Sequence, residues 1–321
     1  YTFQTMSYTI DIYRRKLSPT KDFISFASYV TFFPQLVAGP IERASNLLPQ
    51  FLVNRNFCYK TALDGVHLII WGMFKKIVIA DSLAPIVDDI FSNYEFYDGG
   101  ILWLGVFYFG IQVYSDFSGY SDIAIGTSKL FGFKLMTNFN FPYFSRNIAE
   151  FWRRWHISLT NWFTEYLFIP LKIKYRNSTL LLNFTILIFY FMIIGFWHGA
   201  NFTYLFFGIY HSLLLFPTLI NPNYFSLRSK TENQFIPSIK DFLSIIITFI
   251  FVSIGWVLFR SESLIDAFKY FEILFSGFFP SMFRLHMLFY VFPFLILDYL
   301  FYKKFFLVLN KNLKRLFYIF L

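Results

Sequence analysis

Between Asn177 and Leu227 the sequence contains no Asp, Glu, Lys or Arg. A run that long without charge reads as two membrane-crossing helices joined by a tight turn, because about 20 apolar residues span a hydrocarbon core. Cysteine is nearly absent too. The single Cys58 excludes an intrachain disulfide and any cysteine-based metal cluster, and reads as a small buried hydrophobe. The start, Tyr1-Thr2-Phe3, has no initiator Met and no signal-peptide pattern, which predicts a chain that begins inside a longer protein and lacks one or more N-terminal crossings. No Gly/Ser-rich or Pro-rich linker and no repeat of fixed period divides the sequence, so one domain over residues 1–321 is expected. No HxxxH or HxxE spacing surrounds His156, His198 or His211, and no metal site is expected.

What is present is apolar and aromatic. The 321 residues are 56% hydrophobic and 15% charged, with 49 Phe, 22 Tyr and 7 Trp. The mean hydropathy is +0.51. These values predict an all-α polytopic membrane protein with room for roughly seven or eight helices; the long continuous runs exclude a β-barrel, whose strands alternate. Apolar segments are expected over 22–38, 65–91, 101–126, 180–200, 202–220, 241–259 and 286–309. Pro34 and the Gly39-Pro40 pair break the first, which is therefore re-entrant or kinked.

The formal net charge of +9 points to topology and membrane lipid, not to nucleic acid, since the basic residues gather in loops beside apolar runs. Residues 81–98 carry Asp81, Asp88, Asp89, Glu95 and Asp98 and no base. Residues 145–176 carry Arg146, Arg153, Arg154, Lys172, Lys174 and Arg176 against Glu150 and Glu165. The positive-inside rule puts the second stretch in the cytoplasm and the first outside. The basic tail with Lys303, Lys304, Lys311, Lys314 and Arg315 then returns to the cytoplasm. Lys75 and Lys76, inside an apolar segment, either snorkel from a tilted helix or line a polar interior.

Two stretches carry candidate chemistry. His198, in Gly195-Phe196-Trp197-His198-Gly199-Ala200, stands in or at the edge of the bilayer, where an ionisable group is costly and usually faces a cavity. His156 lies in the Trp- and Arg-dense run Phe151 to Thr160, which suits a membrane interface. An imidazole titrating near neutrality can take a proton from a hydroxyl and return it, so two of them near one cavity suggest acid/base chemistry. Each histidine alone is more often an interhelical hydrogen-bonding residue. His211 reads as a satisfied interhelical histidine, and His67 and His286 receive no role. Asp116 and Asp122, flanking Gly119, either pair and pack between helices or line a tunnel. A transporter with a histidine relay is the rival from another class, and the symmetry between halves that it predicts is not visible.

These residues also carry a resemblance. FWRRWHISLTNWFTEYLFIPL at 151–171 and GFWHGAN at 195–201 resemble the two histidine motifs of the membrane-bound O-acyltransferase family, in particular its alginate O-acetyltransferase-like branch. Further matches run along the chain: YTFQTMSYTIDIYR at 1–14, FFPQLVAGPIER at 32–43, GMFKKIVIADSLAPIVDDIF at 72–91, YSDFSGYSDIAIGTSKLFGF at 114–133, NFNFPY at 138–143 and GWVLFRSESLIDAF at 255–268. The resemblance implies a helical membrane enzyme with a central tunnel, where a cytoplasmic acyl thioester meets a hydroxyl from outside. It maps the family's tunnel histidine onto His198 and its second functional histidine onto His156. It also implies acetyl-CoA as donor substrate, no bound cofactor, a polysaccharide or envelope glycan as acceptor and a separate extracytoplasmic SGNH-type acetyltransferase as partner. Arg153 and Arg154, with Trp155 beside them, are then candidates to hold the CoA phosphates, or else they anchor a loop at the interface. A relative that moves D-alanine from a carrier-protein thioester to teichoic acid is the enzymatic alternative. The chain departs from its branch at Thr164-Glu165, where Arg-Asp is usual, and at Lys172-Ile173, where Gly-Gly is usual.

Overall fold

Gly65 and Gly72 on one helix stand opposite Gly126 and Gly119 on another, and this pairing builds the centre of the molecule. A Cβ added to Gly72 would lie 2.5 Å from the Gly119 carbonyl oxygen, and one on Gly65 would lie 2.6 Å from that of Gly126. Only hydrogen side chains let the two backbones come this close, the usual device where helices associate without water to expel.

The computed structural model describes residues 2–224, 235–277 and 285–303. Among them every regular element is helical: α1 Thr2–Tyr13, α2 Phe23–Val30, α3 Ala44–Phe51, α4 Tyr59–Met73, α5 Asp81–Ser92, α6 Gly99–Leu130, α7 Ile148–Arg154, α8 Ile157–Phe163, α9 Ile169–Lys174, α10 Leu180–His198, α11 Phe202–Leu215, α12 Pro217–Ile220, α13 Ile239–Arg260, α14 Leu264–Ser276 and α15 Leu288–Tyr302. π-Helical turns, Phe74–Ala80 and Thr164–Phe168, join α4 to α5 and α8 to α9. The all-α membrane architecture expected from composition is what the chain adopts.

Caps explain several boundaries. The Asp98 carboxylate accepts from the Gly100 and Ile101 amides and starts α6, and the Thr179 and Ser238 hydroxyls do the same for α10 and α13. Three helices are long and apolar enough to cross a membrane among the described residues: Leu180–His198, Ile239–Arg260 and Leu285–Tyr302, the last including a 3-10 turn before α15. This is fewer than the seven or eight expected. The 65–91 segment is interrupted by the π turn, and 22–38 becomes the eight-residue α2 followed by a 3-10 turn at Phe33–Gln35.

The charge-free run corrects one expectation. It does form a hairpin, α10 and α11, but α11 has 14 residues and extends about 21 Å, short of a ~30 Å hydrocarbon core. Cys58 is a second correction, because it is exposed and not a buried hydrophobe. Of the basic tail, Lys304, Lys311, Lys314 and Arg315 lie outside the described residues.

The two awkward lysines meet the two α6 aspartates. Lys75 Nζ lies 2.7 Å from Asp122 and donates to Ser118 Oγ at 2.8 Å, while Lys76 Nζ lies 2.7 Å from both Asp116 and Asp81. Lys75 is buried, so its charge is matched by a partner instead of snorkelling. Beside it the Tyr114 hydroxyl donates to Asp298 of α15 at 3.0 Å. Ion pairs Arg260–Asp88 at 2.6 Å and Lys269–Glu95 at 3.0 Å fasten the acidic 81–98 stretch to α13 and α14.

Candidate active site

Asn138 determines how the chain enters α8. Its backbone carbonyl accepts from the Ile157 amide at 2.8 Å, and its side-chain oxygen accepts from the Ser158 hydroxyl at 2.8 Å and amide at 3.3 Å. Its amide nitrogen donates to Ser121 on α6 at 3.1 Å. Two residues away, Asn140 N donates to the Arg154 carbonyl at 2.9 Å. Clamped on both sides, His156 adopts the left-handed region at φ 43, ψ 52 as the N-cap of α8. Such a conformation is uncommon outside glycine and persists where the surroundings impose it, often at functional positions.

The His156 side chain is 3% exposed. Phe117 meets its ring edge-to-face at 4.6 Å and Trp197 does so at 5.9 Å. Neither ring nitrogen has a hydrogen-bond partner among the described residues. Burying a polar group without a bond costs free energy, so an imidazole left this way is arranged for something that arrives.

A cavity of about 510 Å³ opens beside it, with Phe3, Gln4, Gln35, Phe117, His156 and Trp197 on its walls together with the 36–41 loop. Gln4 Nε2 and Gln35 Oε1 are also buried and unbonded. The Gln35 amide nitrogen donates to the Tyr29 carbonyl at 3.1 Å, which fixes the orientation of that amide. One cavity therefore collects a donor, an acceptor and an imidazole, each awaiting a partner. The 22–38 segment, expected to be re-entrant or kinked, is interrupted by the 3-10 turn at Phe33–Gln35, and Gln35 with the following loop forms one wall.

His198 ends α10 and stands among aromatic rings: Trp197 at 4.7 Å, Phe259 of α13 at 4.9 Å and Tyr204 of α11 at 6.3 Å. The Asn201 side chain, which caps α11, also donates to the Glu262 carbonyl at 2.7 Å and ties this corner to the end of α13. His198 is not on the wall of the His156 cavity. Trp197 touches both histidines, so the two predicted residues come together as a pair separated by one indole.

The other predicted residues fall elsewhere. Trp155 is buried in the aromatic core, 5.0 Å from Trp256 and stacked on Phe151 at 5.4 Å. Arg154 is tied to Glu150 at 2.7 Å and to the Asn140 carbonyl at 3.2 Å, and lies over the Tyr302 ring. Arg153 is exposed. None of the three lines the His156 cavity. His211 accepts from Trp152 Nε1 at 3.3 Å through Nδ1, as an interhelical histidine should, although its Nε2 is unbonded against Gly255. Gln4, Gln35 and Asn138 were missed as site residues; their only signal was a polar side chain inside an otherwise apolar motif.

With this geometry in view, the family model described as membrane-bound O-acyltransferase matches residues 14–259. The chain is 41% identical over 276 residues to the probable alginate O-acetylase AlgI of Pseudomonas aeruginosa, covering 86% of this chain and 50% of that protein. It is 35% identical over 302 residues to the peptidoglycan O-acetyltransferase of Helicobacter pylori, covering 84% and 54%. To the teichoic acid D-alanyltransferase of Bacillus subtilis it is 29% identical over 248 residues, covering 73% and 60%. The chain spans about half the length of the first of these relatives.

Proposed function

Because the chain belongs to the membrane-bound O-acyltransferase family, we propose that the protein carries an acetyl group from cytoplasmic acetyl-CoA to a hydroxyl of an extracytoplasmic polysaccharide or envelope glycan. The observation that carries this reading is the pair of histidines about Trp197, one of them buried with both ring nitrogens free beside a cavity. His198 takes the proton of the acceptor hydroxyl as its oxygen attacks the thioester carbonyl. The C–S bond then breaks, and the proton leaves with the thiol. His156 and the Gln4 amide, both unbonded at one cavity, are the proposed donors to the carbonyl oxygen as it gains charge, which is where preorganised donors contribute most. No metal is required by this scheme.

Relatives named for O-acetylation match at higher identity than those named for D-alanyl transfer, which favours acetyl over D-alanyl as the group moved. A separate extracytoplasmic SGNH-type acetyltransferase is the proposed recipient or finisher of the transfer, and the proposed location is multi-pass in the bacterial cytoplasmic membrane, a reading that the apolar spans and the charge bias support. The test is the full-length protein reconstituted with acetyl-labelled CoA and a glycan acceptor. Transfer of label that His198→Ala abolishes is the expected result; undiminished transfer by that variant would remove His198 as the base.

A further inference from the structure

A second cavity, of about 790 Å³, lies beside the π turn that follows α8, and its walls carry Arg14, Lys16, Arg43 and Lys174 against one carboxylate, Glu165. The bases come from three distant parts of the chain. Lys16 Nζ lies 3.0 Å from the Glu165 carboxylate, Arg43 pairs with the same group, and Arg14 donates to the Glu165 carbonyl at 3.4 Å. Tyr166 supports them: the Arg14 and Arg43 guanidinium groups lie over its ring at 5.5 and 5.4 Å, and its hydroxyl is fixed by donation to Asp11 at 2.8 Å.

Four cations and one carboxylate leave a strong positive surplus. In a hydrophobic membrane protein, such a surplus gathered in a cavity calls for an anionic ligand. Arginines held in place on an aromatic face suit phosphate, whose oxygens accept paired N–H donors. Asn161 and Thr164 also line this cavity. They sit five and eight residues beyond His156 along a continuous helical path, about 8 and 12 Å at 1.5 Å per residue. Of the four residues at which the sequence departs from its branch, Thr164, Glu165 and Ile173 line the same cavity and Lys172 does not.

We infer that this cavity is the port that grips the phosphates of the acyl donor, with Arg14, Lys16, Arg43 and Lys174 as the binding residues in place of Arg153 and Arg154. This rests on the acyl-thioester reading above. The charge surplus selects coenzyme A, with a diphosphate and a 3′-phosphate, over a carrier-protein arm that offers a single phosphodiester.

The experiment titrates coenzyme A, 3′-dephospho-coenzyme A and pantetheine into the full-length protein in nanodiscs of zwitterionic lipid, for wild type, Lys174→Gln and Arg14→Gln. Both side chains are exposed, so the variants should fold. Wild type should bind coenzyme A more tightly than its dephospho form, each substitution should weaken coenzyme A about tenfold, and pantetheine should bind all three proteins alike. Equal weakening for pantetheine, no weakening for coenzyme A, or loss of coenzyme A binding when phosphatidylglycerol is added would each overturn the port, the last by making it a lipid seat. Phosphate-dependent binding without acetyl transfer would sink the acyl-transfer reading and leave the port. Acetyl transfer with an unchanged KM in Lys174→Gln would do the reverse.

Discussion

His156 shows how one residue can be legible in type and illegible in setting. Its place in an Arg- and Trp-rich motif marks it in sequence, yet nothing local announces its left-handed backbone, which Asn138 imposes from eighteen residues earlier. The two demands separate experimentally. Asparagine tolerates the left-handed region nearly as well as any non-glycine residue but is too short to set its amide donor where the imidazole N–H stands. His156→Asn should therefore keep the Tm of the wild type within a few degrees and lose acetyl transfer by about 10² or more; a large fall in Tm with transfer retained would assign His156 to folding. Lys75 and Asp122 make the opposite case, where the types are plain but the partnership is not, because 47 positions separate them. Lys75 is buried and Asp122 only partly so; removing the aspartate strands the buried ammonium, so Asp122→Asn should destabilise the protein by about 1–3 kcal/mol. The double replacement Lys75→Met, Asp122→Leu should recover much of that loss in detergent thermal unfolding.

Among the elements, the long apolar helices were readable because length and composition suffice for them: 180–200 became Leu180–His198, and 241–259 became Ile239–Arg260. The short helices α7 to α9 were not, because their hydrophobic faces are completed by α1, α10 and α13 and carry no period of their own. α14 was missed for a similar reason, though its start is well marked. Ser263 Oγ accepts from the Asp266 amide at 3.2 Å and donates to the Asp266 carboxylate at 2.6 Å. That donated bond holds the Asp266 carboxyl below the usual Asp range, with burial opposing it and a bond from the Tyr94 hydroxyl assisting. A depressed folded-state pKa means the cap contributes fully above the unfolded Asp value and is lost as pH falls through the folded one. Amide exchange at the first turn of α14, which lies outside the spanning segments, should accelerate only in that acid window, and Ser263→Ala should weaken the dependence, leaving the part due to Tyr94, at a cost of about 1 kcal/mol. The α4–α6 contact makes a packing prediction. A methyl on Gly119 would lie 2.7 Å from the Gly72 carbonyl oxygen, so Gly119→Ala must push the helices apart and should lower stability by about 1–3 kcal/mol.

At the scale of the whole molecule, the proposed reaction needs two ends that face different compartments. α6 extends about 48 Å from Gly99 to Leu130, longer than a ~30 Å hydrocarbon core. Around its start lie Asp88, Glu95, Arg260 and Lys269 in matched pairs, while Arg14, Lys16, Arg43 and Lys174 surround the unbalanced cavity by α9. The positive-inside rule turns that asymmetry into a predicted orientation, with the unbalanced bases in the cytoplasm. The proposed reaction needs that orientation, with a charged donor gripped on one side and a hydroxyl acylated on the other. Cysteines placed singly at Ser92, the last residue of the acidic α5, and at Ser178, just before α10, report on it directly. Cys58 is exposed and must first be replaced by serine. In intact cells a membrane-impermeant maleimide should label the cysteine at 92 and reach the one at 178 only after permeabilisation. Labelling of both from one side would remove the two-sided reaction, because phosphate port and acceptor would then share a compartment and the apolar helices would have nothing to carry the acetyl group across.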